Sequence, residues 1–234
     1  MQTEKNHWEK SYQRKENHLF YPKEEAVKFI NRYIKKKLST EQKFKNILKS
    51  SNLRGLDFGC GIGRLSILLK EFEIDCYGID ISTHAINTAK KLAINFGFDM
   101  DDKLVVFDGD KIEFKNDFFH FTICDGVLDS IRFTLAKKLI NEISRVTKHL
   151  CYLTLISTDS MKLFKKSADI SKKELVVSEK HEFGTIQSFY DFEKISHLIE
   201  QTNFRIKTGE IITHKDIFDK NNFHSRYHLV LEKY

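Results

Sequence analysis

The stretch LDFGCGIGR, Leu56 to Arg64, sets glycines at 59, 61 and 63 directly after an apolar run that contains Asp57. Glycines at such spacing let a backbone curl tightly and approach a ligand with no Cβ in the way. A second acid, Asp80 in YGIDIS, follows Gly59 by 21 residues. An interval of about 20 is what separates a phosphate-type glycine turn from the acid that accepts ribose hydroxyls in a nucleoside site. A dinucleotide fingerprint needs G-x-G-x-x-G, and here its last position is Arg64 or Ser66 according to frame. The third glycine that packs helix on strand around a pyrophosphate is therefore missing.

Positioning such a turn requires a strand before it and a helix after it. The chain supplies LRGLDF as a strand, RLSILLKEF as a helix, DCYGID as a strand and HAINTAKKLAINFG as a helix stopped by Gly97. KLVVFD and HFTICD follow as strands, then FTLAKKLINEISRVTK as a helix and LCYLTLIS as a strand. Strands that are apolar through most of their length and alternate with helices predict a parallel sheet covered on both faces. After a polar stretch, FEKISHLIEQTN reads as a helix, and FRIKTGEIITHK and RYHLVLEK as strands. Only a short link joins these two, so they should be antiparallel. Ahead of the sheet, YPKEEAVKFINRYIKKKL has helical apolar spacing with Pro22 near its start, which predicts one amphipathic helix ending in the solvated lysines 35 to 37.

The 234 residues are 41% hydrophobic, enough for a sizeable core, and the single proline and lack of a linker favour one domain. Its expected parts are an N-terminal helical lid (1–50), a core (51–157), an insertion (158–185), and a last helix with two strands (186–234). A polar N-terminus and the lack of an apolar run of 18 or so residues argue for a cytoplasmic protein without a membrane span. Cys60, Cys76, Cys124 and Cys151 lie far apart with no C-x-x-C pair, which suggests buried reduced thiols rather than a disulfide or metal framework. The net charge of +6 comes from mixed charges, giving compatibility with an anionic partner but no basic, aromatic-interleaved nucleic-acid footprint.

LDFGCGIG resembles the first motif of the class I S-adenosylmethionine-dependent methyltransferases. YGIDIS is similar to their second motif, VVFDGDKIEF to the third-strand segment and FFHFTICDGVLDSI to the fourth, with ISRVTK like the helix end that follows. The resemblance covers about Asn52 to Ser157. It implies a Rossmann-like three-layer α/β sandwich, a seven-stranded mostly parallel sheet with the last strand antiparallel, and S-adenosyl-L-methionine (SAM) as cofactor. By position, Gly59, Cys60, Gly61 and Gly63 would surround the methionine portion, Asp80 would hold the ribose and Ile81 would lie against the adenine. Asp108 would meet the adenine amino group, with Gly109 nearby; Asp110 competes for that place. Cys124 and Asp125 would lie beside the amino-acid part and the transferring methyl.

This sequence departs from the pattern at His120, where the fourth motif usually has Asp, and at Asp129 and Ser130, which replace histidines. Asp57 reads either as a cofactor residue or as an acceptor for backbone N–H groups in the turn. An alcohol acceptor would use a base, and Asp129 is the first candidate, with Asp125 second; a helix cap or a loop contact is the other reading of Asp129. Trp8, Tyr12 and Tyr21 either pack the entry segment or cover the cofactor. His18, His181 and His224 read as surface histidines. The absence of an NPPY element and of a Pro-Cys pair argues against a nucleic-acid acceptor. FYPKEEAVKFI followed by LDFGCGIGR resembles small-molecule methyltransferases, including those that decorate surface sugars, which implies as acceptor an oxygen of a sugar or phosphate-linked metabolite of surface-polysaccharide synthesis. An RNA or protein methyltransferase, a nonenzymatic SAM-binding protein and a nicotinamide-dependent dehydrogenase are the alternatives.

Overall fold

The structure, a computed structural model, describes residues 2–41, 43–160, 173–219 and 223–234. Strands β1 (Arg54–Phe58), β2 (Asp75–Asp80), β3 (Leu104–Val106), β4 (Phe119–Cys124), β5 (Thr147–Ile156), β6 (Phe204–Lys215) and β7 (Phe223–Lys233) form one sheet in the order β6-β7-β5-β4-β1-β2-β3. β1 to β5 pair in parallel, while β7 runs antiparallel to both β5 and β6. It is the one reversed strand of a doubly wound α/β sheet.

The alternation of side chains across the pleat explains the layers. On β5, Cys151, Leu153 and Leu155 face the core formed with α5 (Phe133–Val146) and α6 (Phe192–Ile199), while Leu150 and Tyr152 face the other side. That second core holds α3 (Arg64–Glu71), α4 (Thr83–Asn95) and the short α2 (Glu24–Phe29). The helices have local starts: Gly63 at φ 86° before α3, the Ser82 hydroxyl accepting from Ala85 N at α4, and Asp191 accepting from Lys194 N at α6. His120 serves where the resemblance expects Asp, since its Nδ1 accepts from Arg54 N at 3.0 Å.

The N-terminal third departs most from expectation. Helix α1 (Gln2–Gln13) precedes α2, and α2 continues only as a wider turn through Ile30–Ile34. Lys35–Lys37 are then not a helix end but a strand, antiparallel to Phe44–Asn46. The Ile34 carbonyl accepts from Ile47 N and Leu48 N, so it is committed to the returning chain rather than to another helical turn. Lys35 is buried, with Nζ 3.2 Å from the Glu73 carbonyl and 5.0 Å from the Phe44 ring centre. Part of the expected 158–185 insertion, residues 161–172, lies outside the described residues. Its remainder contributes the strand Glu174–Val176 and the turn at 177–185, which form a hairpin with Ile186–Ser188, a strand ahead of the last helix that is not among the expected parts. All four cysteines are free and buried, and among the described residues no helix is long and apolar enough to cross a membrane.

Candidate functional site

The parallel strands β1, β2 and β4 end at one edge, and the reversed β7 begins there. At that edge lies a cavity of about 430 Å³. Its floor is the glycine turn. Gly59 N and Cys60 N both donate to the Ile79 carbonyl, and Gly61 N donates to Asp80 Oδ2 at 2.9 Å. Asp80 Oδ1 accepts from Ser82 N at 2.9 Å, so one carboxylate ties the turn to the start of α4. Burial pushes Asp80 up to about 6 against these stabilising amides. Beneath the turn Asp57 accepts the Ser66 hydroxyl at 2.7 Å, and burial pushes it up to about 7.

Gly59 and Gly61 both require positive φ, 70° and 54°. A Cβ on Gly59 would lie 2.3 Å from Val127 Cγ2, and one on Gly61 would lie 2.6 Å from the Tyr12 hydroxyl. The backbone is thereby kept bare where it borders the cavity.

At the end of β4, Asp125 has a side chain only 2% exposed, with Oδ1 2.8 Å from Lys23 Nζ and accepting from Thr154 Oγ1 at 2.8 Å. Arg64 Nη2 is 3.6 Å from Oδ2, which has no hydrogen-bond partner among the described residues. Burial drives this carboxyl upward, but Lys23, Thr154 and Arg226 outweigh it and hold it below its ordinary value.

Of the residues expected from sequence, Gly59, Cys60, Gly61, Asp80, Ile81, Gly109 and Asp125 line the cavity. The others stand elsewhere. Gly63 brings the turn against α4, where its Cβ would lie 3.0 Å from that of Ala89. Cys124 is fully buried in the α5–α6 core. Asp108 is exposed, its Oδ1 accepting from Asp110 N, so the cavity wall there is Gly109 and Phe107. Asp129 is fully buried and no part of the wall: its Oδ2 accepts from Ile156 N at 2.9 Å and Arg226 Nη1 at 2.5 Å. Its partners thus come from the end of β5 and from β7.

Several cavity residues had no signal of their own in the sequence. Lys23, Arg226, Phe189 and Phe223 line it, as do Trp8 and Tyr12 of α1; Tyr21 is 87% exposed. His224 also lines it, at an exposed position two residues nearer the start of β7 than Arg226. Burial is the larger of the forces that push Tyr12 well above its ordinary value, with Asp80 adding to it. Helix α1 and the residues just after it are fastened at both sides of the opening. Glu9 accepts from the Ser82 hydroxyl at 2.6 Å and from His84 N, while His7 Nδ1 lies 2.5 Å from the Gly184 carbonyl and Glu16 accepts from Glu182 N.

The residues present suit a sulfonium nucleoside: a bare glycine turn, a carboxylate at the end of β2, apolar side chains Ile81 and Phe107, and, in Asp125 Oδ2, a carboxylate oxygen that accepts no hydrogen bond among the described residues and could take one from an ammonium group. Comparison with known proteins agrees. No match is found among curated protein sequences. A family model described as a methyltransferase domain matches residues 49–205, more than half of the chain. Among solved structures, a SAM-dependent methyltransferase from Methanosarcina mazei superposes with a TM-score of 0.66 at 21% identity, covering 80% of this chain and 94% of that one. One from Anabaena variabilis gives 0.63 at 16% identity over 98% and 95%. The magnesium protoporphyrin IX methyltransferase of Synechocystis with bound SAH gives 0.57 at 19% over 78% and 75%. These likenesses are of fold; together with the motif match and the glycine-turn geometry they lead to one conclusion, that the chain belongs to the methyltransferase domain family and is a class I SAM-dependent methyltransferase.

Proposed function

We propose that the protein transfers the SAM methyl group to an oxygen of a small-molecule acceptor. A sugar or phosphate-linked metabolite of surface-polysaccharide synthesis is the narrower expectation. The observation that carries the small-molecule reading is the roof. His7 of α1 meets Gly184, and Glu16, just past α1, meets Glu182, so the chain entry and the 177–185 turn bridge one side of the opening and leave a partly open pocket of small-molecule size. Walls beyond the glycine turn, at Ile156, Phe189, Phe223 and Arg226, provide room that a pure cofactor-binding protein has no use for.

In this reading the cofactor supplies a methyl group activated on sulfur, and the chain's task is placement. The backbone of Gly59, Cys60 and Gly61 borders the amino-acid part, Asp80 accepts from the ribose, and Ile81, Phe107 and Gly109 enclose the base. Asp125 Oδ2 offers an acceptor to the amino group, and Arg64 a cation to the carboxylate. Correct alignment of acceptor and methyl can supply roughly 7–11 kcal/mol of the barrier. Trp8, Tyr12 and Glu182 of the 177–185 turn cover part of the cavity.

The test is titration of purified protein with S-adenosylhomocysteine and, in parallel, NAD. Next comes transfer of label from methyl-labelled SAM into a cell extract split into small-molecule, RNA and protein fractions. Binding of S-adenosylhomocysteine alone and label in the small-molecule fraction are expected. Label confined to RNA or protein would replace the acceptor class, and binding without transfer to any fraction would favour a nonenzymatic role.

A further inference from the structure

The inner end of the acceptor half presents cations, not a base. A Cβ placed on Gly126 would lie 3.9 Å from Arg226 Nη1 and 4.0 Å from Lys23 Nζ. Two positive groups thus converge over a backbone position that leaves the space between them open. Arg64 lies beside Asp125, and Lys23 and Arg226 are each paired with a buried carboxylate, Asp125 and Asp129 respectively. Glu4 and Glu182, the other acids of this half, belong to the helix and the turn of the roof. A sulfonium cofactor is itself of net positive charge.

We infer that the acceptor is a carboxylate on an apolar body, held between Lys23 and Arg226, and that the product is a methyl ester. This rests on the small-molecule reading above and narrows it. A hydroxyl acceptor has to lose a proton, and the acids at this end are committed: Asp129 is sealed under Arg226, and Asp125 is paired with Lys23. His224 lies exposed on the cavity wall, its charged form disfavoured by desolvation and then by Arg226 and Lys23, and a carboxylate acceptor has no proton for it to take. A carboxylate, with a solution pKa of about 4, arrives ionised at neutral pH. A lone pair of its oxygen forms the O–CH3 bond as the S–CH3 bond breaks. The bonding pair stays on sulfur, the sulfonium becomes a neutral thioether, the carboxylate becomes a neutral ester, and no proton moves. The body of such an acceptor meets Leu19, Ile156, Phe189 and Phe223. Ion-paired cations of this kind select for charge more than they add raw affinity.

The experiment titrates protein saturated with S-adenosylhomocysteine with phenylacetate, 1-naphthoate, indole-3-acetate and decanoate, each beside its primary amide and alcohol. The same set is then incubated with methyl-labelled SAM. At least one carboxylate should bind about tenfold or more tighter than its amide, and Lys23→Gln should remove most of that ratio while S-adenosylhomocysteine still binds. Arg226→Lys, which keeps a cation for Asp129, should reduce it in part. Transferred label should be released as methanol by mild alkali. Equal affinity for the three forms, alkali-stable transfer to an alcohol, or binding of none of the set by cofactor-competent protein would overturn the inference and leave methyl transfer standing. Failure to bind S-adenosylhomocysteine would overturn both.

Discussion

Arg226 on β7 grips Asp129 in the loop after β4, with Nη1 2.5 Å from Oδ2 and the carboxylate side chain 1% exposed. The same Oδ2 receives Ile156 N, so one buried atom locks the ends of β5 and β7 to that loop. Breaking a buried pair from one side costs about 3–5 kcal/mol because the remaining charge is stranded. Asp129→Ala should therefore lower the unfolding free energy by about that amount in urea denaturation, with Asp129→Asn losing less. An Asp129→Asn protein of unchanged stability but abolished turnover would return Asp129 to the chemistry.

Asp80 bonds both Gly61 N and Ser82 N, so its loss removes two supports of the turn as well as the proposed ribose acceptor. Asp80→Ala should weaken S-adenosylhomocysteine binding by at least about tenfold, roughly one lost charged hydrogen bond. An unaltered dissociation constant in calorimetry would move the ribose to another residue.

Asp57 carries a pH signature. Its folded pKa, about 7, lies above the ordinary 3.8, so between those values the folded protein holds a proton that the unfolded chain has lost. Stability from this group is then greatest below about pH 4 and falls as pH rises to about 7. Replacement by the neutral Asn removes the dependence. The stability of Asp57→Asn relative to the natural protein should improve as pH is raised from 5 to 8, measured by paired denaturant titrations; a constant gap would mean that Asp57 is ionised across the range.

Gly61→Ala places a methyl 2.6 Å from the Tyr12 hydroxyl at a φ of 54°. The left-handed backbone alone costs about 1–2 kcal/mol for a residue with a Cβ. Thermal unfolding should register that loss, and cofactor binding should weaken with it. Tyr12→Phe should relieve part of the crowding but none of the backbone cost.

His7 and Glu16 fasten the roof to the 177–185 turn. In the double variant His7→Ala/Glu16→Ala, release of S-adenosylhomocysteine should quicken and trypsin should cut sooner at Arg14 or Lys15, both followed readily by stopped-flow and gel analysis. Unchanged release would show that the cofactor leaves by a path α1 does not guard.

The half of the site that the sequence makes legible is the half built from local spacing. Gly59, Gly61 and Asp80 can be placed because a strand, a tight turn and the next strand fix their separation within one βαβ unit. The acceptor side escapes such reading because its pairs are distant in sequence: Asp129 with Arg226, Asp125 with Lys23, Gly61 with Tyr12. Asp108 is misplaced for a different reason. Phe107 N bonds the Asp80 carbonyl, and the chain then turns through Gly109 at φ 96°, with the Asp108 carboxylate folded back onto Asp110 N. The lysines at 35–37 fit a helix by composition, yet the Ile34 carbonyl is claimed by residues 47 and 48, which no periodicity reveals.

The reversal of β7 also sets an order of assembly. It returns Phe223 and Arg226 to the edge where the parallel strands end, beside Trp8 and Lys23 from the opposite end of the chain. During synthesis the run from Asp57 to Gly126, with the proposed cofactor contacts, emerges well before the cationic wall can exist. A ribosome-bound chain stalled short of Arg226 has the glycine turn and Asp80 but leaves Asp129 without its ion-pair partner, so the wall proposed to receive the acceptor is the last part of the site to be completed.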